Sequence, residues 1–455
     1  MHSVQAYELD FGPYYAGSAV GELRVDSMTG DRTIQLPPDG ILHYTRVDIL
    51  EGKKLTFLPN ANNTPVYILV DDLVFIDGTI DVSGKDNSGS TGGAGGPGGY
   101  DGGNGQIVLP DGISFPEQSF SLAGFGKGPG GGLPGYIPGM ALEPVVGHGN
   151  YSGSYNRDAI FNGSMDGIIY SERQHLERTG STYGTPLLMP LVGGSGSGGT
   201  FIPSEDSNLG LGGGGGGGAI LIAAKNEIIL FQGSILANGG FSKMKQDDQF
   251  ESHEIYASTG SGGAIRLVAP YIGRGDRSLN DPYLNNYSNF DIELPPFNLN
   301  VHGGFWGRIR IDCLESNLPE LVPSTEVTFS KGANMQVFPP AMPELRVERV
   351  YPSGNPEAMP YEPPIDPYTE TMQPKTYLLP PQTKMIDIEI MVENYYFNST
   401  LDVKVVITPE RGEPYWSYVS FAAGMSYAIV TDVPVNPDES FRIDLWTESP
   451  MDPYY

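Results

Sequence analysis

The sequence predicts an all-β protein: a short parallel β-solenoid with glycine-rich insertions, followed by an immunoglobulin-like β-sandwich. Three observations predict it. A strand–corner–strand unit closed by glycine recurs, glycine runs stand between its copies, and alternating segments crowd the C-terminal end.

The recurring unit is read first at Val66 to Gly84, VYILVDDLVFIDGTIDVSG, and again at Ala219 to Gly240, AILIAAKNEIILFQGSILANGG. A third copy begins with AIRLVA at Ala264 and resumes as LNVHGG at Leu299 to Gly304, and GRIRIDC at Gly307 to Cys313 starts a fourth. Gly78 matches Gly233 and Gly84 matches Gly239 at the same separation. One such unit cannot bury its apolar face alone, whereas stacked units bury it by placing like residues over like. The alternation predicts strands with Ile220, Ile265 and Ile309 in one inward ladder and Ile222, Leu267 and Ile311 in another. Leu221, Arg266 and Arg310 then point outward. Asn238 and His302, at the closing corners, suit turns with φ > 0.

The 62 glycines and 39 prolines are concentrated between these units. GGAGGPGGY (Gly92 to Tyr100), GFGKGPGGGLPG (Gly124 to Gly135), GGSGSGG (Gly193 to Gly199) and the unbroken run Gly212 to Gly218 are the densest stretches. Ordering a glycine costs about 0.5–1 kcal/mol more than ordering alanine, so such runs are either disordered or held by very close backbone packing. A period of three without side chains fits extended segments that pair laterally, as polyproline-II-like strands must when buried. Packing against the solenoid is expected, because the last run leads directly into the strand at Ala219. Residues 141–192 are mixed, with a short helix expected near Ser171 to Arg178.

From about Pro323 the composition changes, and residues 336–383 are proline-rich and extended, as in YPSGNPEAMPYEPPIDPY, which reads as a linker or an edge strand. Then come MIDIEIMV, LDVKVVIT, WSYVSFAA, SYAIVTDV and FRIDLWTE, five alternating segments separated by turn residues, which is the spacing of an antiparallel sandwich. The expected domains are a β cap over 1–60, the solenoid over 61–322, an extended linker over 323–383 and the sandwich over 384–455.

Composition excludes several classes. The balance of 26 Lys+Arg against 54 Asp+Glu, a net of −28, opposes binding to nucleic acid or anionic membranes. The single cysteine, Cys313, permits no intrachain disulfide and reads as a small buried residue. No apolar run reaches the roughly 20 residues that span a bilayer, and Met1 to Val20 lacks the basic and apolar regions of a secretory signal.

The chain resembles a group of uncharacterised bacterial and phage glycine-rich β-solenoid proteins. The resemblance rests on NANNTPVYILV, IDGTIDVSGKD, GGAGGPGGYDGG, YGTPLLMPLVGGSGSGG, GGGGGGAILIAA, SGGAIRLVA and GRIRID, and covers much of residues 55–315. It implies the architecture and carries no activity. In glycine density and period the chain is also loosely similar to polyglycine-rich adhesins of phage tail fibres.

No chemistry-bearing constellation stands out. The six histidines are scattered, and the glycine runs lack the Lys-Ser/Thr of a phosphate loop. Asp71, Asp72 and Asp81 lie on the first unit, and the second unit has Asn226-Glu227 where the first has Asp71-Asp72. Asp86 and Asp101, in and beside the stretch GGYDGGNG, are weak calcium candidates, and no other cofactor is expected. Arg266 and Arg310, stacked on one face, and Tyr100 are candidates for surface contact, although two stacked cations in so acidic a chain call for local carboxylate partners.

The expected function is therefore non-enzymatic: a structural or attachment protein of an extracellular assembly, a virion fibre, spike or decoration protein, because the chain starts at Met without an export signal. A homo-oligomer or larger protein assembly is expected, with a host glycan or surface protein as partner, and neither nucleic acid binding nor membrane insertion. A secreted bacterial adhesin or filament subunit and a β-helix polysaccharide-degrading enzyme are the alternatives.

Overall fold

The structure is a computed structural model and describes residues 9–12, 15–105, 126–128, 131–132, 187–199, 212–243, 256–274, 298–300, 307–318, 328–338, 344–357, 379–394, 400–409, 415–437 and 441–448. Among them every regular element is a strand. The first eight are β1 (Glu22–Val25), β2 (Arg32–Gln35), β3 (Ile41–Tyr44), β4 (Arg46–Ile49), β5 (Lys54–Leu58), β6 (Val66–Val70), β7 (Leu73–Ile76) and β8 (Thr79–Asp81). Then follow β9 (Ala219–Ala224), β10 (Glu227–Leu230), β11 (Ser234–Leu236), β12 (Phe241–Lys243), β13 (Tyr256–Thr259), β14 (Ala264–Gly273), β15 (Asn298–Asn300), β16 (Arg308–Ser316) and β17 (Thr328–Gly332). The last six are β18 (Glu344–Pro352), β19 (Met385–Glu393), β20 (Thr400–Pro409), β21 (Tyr415–Ala422), β22 (Tyr427–Pro434) and β23 (Phe441–Glu448).

Strands β1 to β11 and β14 to β17 form three ladders, all parallel. The first runs β3-β6-β9-β14-β16-β17. The second runs β1-β4-β7-β10 and ends on the C-terminal part of β14. The third runs β2-β5-β8-β11-β15. Because β14 belongs to both of the first two, they merge into one ten-stranded sheet. Inward residues of all three ladders share one apolar core. Each buried Ile or Leu contributes roughly 1.5–3 kcal/mol to this core. Ile265 lies in register with Ile220 and Ile309, and Leu267 with Ile222 and Ile311, as the repeat predicts.

One expectation is corrected at the corners. Asn238 does not have positive φ, and neither do Gly78, Gly84, Gly233 or Gly239. These glycines are required by close approach instead: a Cβ on Gly78 would strike the Leu50 and Lys53 carbonyls, and one on Gly233 would strike Ile76 and the Gly78 carbonyl. His302 and the expected helix at Ser171 to Arg178 lie outside the described residues. In the region expected as a β cap, β1 to β5 occupy the same three ladders as β6 to β8.

Within residues 323–383, expected as an extended linker or an edge strand, two strands are described. β17 pairs with β16, and β18 pairs antiparallel with β19. Together β18 to β23 make two three-stranded antiparallel sheets, β18-β19-β22 and β21-β20-β23. Ile386, Ile388 and Ile390 of one sheet meet Val403, Val405 and Ile407 of the other in a shared core. All five strands expected after residue 384 are present. The sixth, β18, is an edge strand of its sheet and lies within the proline-rich stretch that reads as a linker or an edge strand.

Candidate functional site: a glycine lattice and its free end

Among the described residues, the glycine runs form an array at the corner where chain leaves the third ladder and enters the first. Gly212 to Gly218, leading into β9, is its central segment. The amides of Gly213 and Gly216 donate to the carbonyls of Gly103 and Tyr100 at 2.8 and 2.7 Å, and those of Gly215 and Gly218 to Lys85 and Val82 at 3.0 and 2.8 Å. Gly217 donates to the Ser261 carbonyl at 2.9 Å, and Gly214 to Ser197 Oγ at 2.8 Å. In return, the carbonyls of Gly213 and Gly216 accept from Gly93 and Gly96, and those of Gly214 and Gly217 from Ser197 and Gly194. Gly215 accepts from Gly240 and Gly218 from Ala264.

Partners change direction with a period of three, as in laterally paired polyproline-II-like segments. The central run is enclosed by residues 82–85, 93–96, 100–103, 194–197, 237–240 and 261–264, and all seven of its glycines are buried. None has positive φ. A Cβ on any of Gly213 to Gly218 would overlap a neighbouring carbonyl oxygen, so the composition is dictated by the spacing between backbones.

One end of the array is fixed to the ladders. There Val82 follows β8, Gly218 precedes β9, Ala237 follows β11 and Gly263 precedes β14, and they are joined by Gly218 N to Val82 O at 2.8 Å and Gly263 N to Ala237 O at 2.7 Å. At the other end Gly105 N donates to Ser90 O at 2.7 Å, Gly212 N to Gly89 O at 2.9 Å and Asn87 N to Phe241 O at 3.0 Å. Gly92 N donates to Asn104 Oδ1 at 2.9 Å, and Gly199 packs against the Asn104 carbonyl. Segment 106–125 follows Gly105, segment 200–211 joins Gly199 to Gly212, and segment 244–255 interrupts the antiparallel pair β12–β13 that starts at Phe241. The attachment points of three insertions therefore converge on the free end.

The calcium candidates have other partners here. Asp86 Oδ1 accepts from Phe241 N at 2.8 Å. Asp101 accepts from Gly95 N at 3.0 Å and pairs with Lys127 Nζ at 2.8 Å. Among the described residues no three His, Cys, Asp or Glu side chains group as metal ligands. Tyr100 is half-buried, with its ring against Gly128.

Arg266 and Arg310 are not at the surface. They project outward from the first ladder, as alternation requires, but that face is covered. Leu9, Phe11, Leu188, Leu191, Met335, Val337 and Phe338 pack over Tyr67, Leu221 and Val268 in a second apolar layer. Arg266 is 0 % exposed and Arg310 8 %. Both bind Asp312, and Arg266 also donates to the carbonyls of Asn334, Gln336 and Val337. Burial pushes the Arg266 guanidinium down from its usual range, and Asp312 opposes that shift. The expected carboxylate partner is thus found. Asp312 stands two residues after Arg310 on the same strand face, and that spacing was the overlooked signal. Cys313 is buried, as expected.

The acidic residues of the first unit are engaged with the strands on either side of it. Lys225 Nζ pairs with Asp71 Oδ1 at 2.9 Å, and buried His43 meets the same oxygen through Nε2 at 3.1 Å. Burial raises the Asp71 pKa, but these hydrogen bonds outweigh it and hold the carboxyl below its ordinary value. The rings of Phe11 and Tyr15 pack edge-on against His43. Asn226 Nδ2 donates to Asp72 Oδ1 at 2.7 Å, and Asp81 pairs with Lys54.

Comparisons with protein families, curated proteins and solved structures find no match to this chain. The class of protein therefore rests on the geometry: an all-β chain of parallel ladders carrying a glycine lattice, joined to a pair of antiparallel sheets.

Proposed function

We propose that this protein is a non-catalytic structural or attachment component of an extracellular assembly, with a virion fibre, spike or decoration protein as the favoured form. In this reading the ladders are successive coils of a short β-solenoid, and the C-terminal strands form an immunoglobulin-like sandwich that serves assembly, in a homo-oligomer or larger particle. The observation that carries it is the convergence of three insertion roots on the free end of the glycine lattice. Rigid scaffolds that present variable connections at one end are suited to recognition. A host glycan or surface protein is the proposed partner. The net charge of −28 supports a surface that does not bind nucleic acid. A bacterial surface adhesin would use the same device.

The enzyme reading needs two or three carboxylates aimed into one groove from adjacent turns. Asp71, Asp72 and Asp81 are instead tied to Lys225, Asn226 and Lys54, which favours structural roles. The test replaces segment 200–211 with a Gly-Ser chain of equal length and measures adhesion to host cells alongside thermal unfolding. Lost adhesion with unchanged unfolding is expected. Unchanged adhesion after replacing all three insertions, or glycan cleavage by the purified chain, would overturn the proposal.

A further inference from the structure

Where the second ladder passes into the third, residues 50–53 turn between β4 and β5, and Asp77-Gly78 turns between β7 and β8. Both Asp77 N and Gly78 N donate to the Ile49 carbonyl, at 2.8 and 3.0 Å, and Thr79 N donates to the Lys53 carbonyl at 2.8 Å. On the other side Phe231 N donates to Ile76 O at 2.9 Å and Ser234 N to Gly78 O at 2.8 Å. Asp77 is thus held between two neighbouring corners, in line with Leu50 and Phe231. Leu50 and Phe231 belong to an outer apolar cluster with Leu73, Phe75, Ile229 and Tyr271. Asp77 is only 8 % exposed, and its Oδ1 is buried without a hydrogen-bond partner.

Of the elements packed on it, the 50–53 turn carries Glu51 and Lys53, residues 231–233 carry no charge, and β7 carries none. Beyond Thr79, Asp81 is paired with Lys54. At Oδ1 a carboxylate in this place lacks both hydration and a bound donor, whereas a neutral carboxyl carries less of that cost.

We propose that the Asp77–Gly78 corner is an acid-tightened clamp: protonation of Asp77 strengthens the joint between adjacent strand layers, and its ionisation loosens it. Burial first, and Glu51 second, push the Asp77 pKa up to about 6. A raised carboxyl pKa stabilises the fold fully below the unfolded value of 3.8, and that stabilisation is lost as pH rises through about 6.

Amide hydrogen exchange of Gly78 and Thr79 in the full chain, corrected for intrinsic rates, reads the clamp. Protection is expected to fall about tenfold between pH 5 and 7.5, relative to amides of the C-terminal sheets. In Asp77→Asn that fall should vanish, and in Glu51→Gln it should shrink. A flat profile in the unmodified chain, or an unchanged fall in either variant, would overturn the proposal, and the Glu51 variant decides the matter should Asp77→Asn not fold.

Discussion

The Arg266 guanidinium donates to Oδ2 of Asp312 at 3.3 and 3.2 Å, with neither side chain exposed to solvent. The same carboxylate accepts from Arg310 through Nε and Nη2 and from the Asn334 amide. Two cations share one anion, and the carbonyls of residues 334, 336 and 337 also accept from the Arg266 guanidinium.

That imbalance ranks the substitutions. Asp312→Ala leaves two buried guanidinium groups facing each other and should cost about 3–5 kcal/mol. Arg266→Met leaves the Arg310–Asp312 pair intact and should cost about 1–3 kcal/mol, chiefly through carbonyls left without donors. Denaturant unfolding measures both, and an equal or inverted ranking would show that the buried charge is balanced elsewhere.

Gly215→Ala should be far more damaging than Gly89→Ala. A Cβ at Gly215 overlaps the Ala94 carbonyl inside the array, whereas Gly89, with φ of 60°, has nothing within 4 Å. The first change should cost more than about 3 kcal/mol and expose the amides of Gly93, Gly103 and Gly240 to exchange. The second should cost about 1–2 kcal/mol through backbone conformation alone.

Asp81 supplies an acid limit. Burial raises its pKa, but hydrogen bonds from Lys54 and Ser83 outweigh burial and hold the carboxyl below its ordinary value. A depressed carboxyl pKa stabilises the fold above the unfolded value and loses that contribution as pH falls through the folded one. Melting temperature should therefore drop below pH 4 more steeply in the unmodified chain than in Asp81→Asn. This runs opposite in sign to Asp77, four residues away.

Truncation separates the roles of residues 334–338. A chain ending after Phe338 keeps the acceptors for Arg266, while one ending after Gly332 loses them along with the Phe338 ring, which packs against Tyr67 with centroids 5.3 Å apart. The shorter chain should melt several degrees below the longer one by calorimetry. Equal melting temperatures would reduce the segment to a passive cover.

The repeat was legible because strand pairing in parallel ladders maps one sequence period onto one physical step. Ser83 and Asn238, 155 residues apart, are joined by a hydrogen bond at 3.1 Å, as are Asp86 and Phe241 at the same separation. The segments of the lattice were legible in composition and period, but as runs either disordered or held by close backbone packing. Its free end was not, because which roots meet depends on contacts such as Gly105 with Ser90 that carry no side-chain signal. Arg266 was misplaced for a related reason. Alternation identifies the face of a strand, but the segments at 9–11, 188–191 and 335–338 that cover this face come from remote parts of the chain.

The enclosure of Gly212 to Gly218 also has a kinetic consequence. Its partners lie as early as Val82 and as late as Ala264, so no local stretch can nucleate the array, and every pairing must wait for loops of very different length to close. Such an array assembles slowly. Once shut, it offers no terminal strand from which to peel the middle one, so unfolding has to breach several neighbours together. Persistence then becomes a matter of rate rather than of equilibrium.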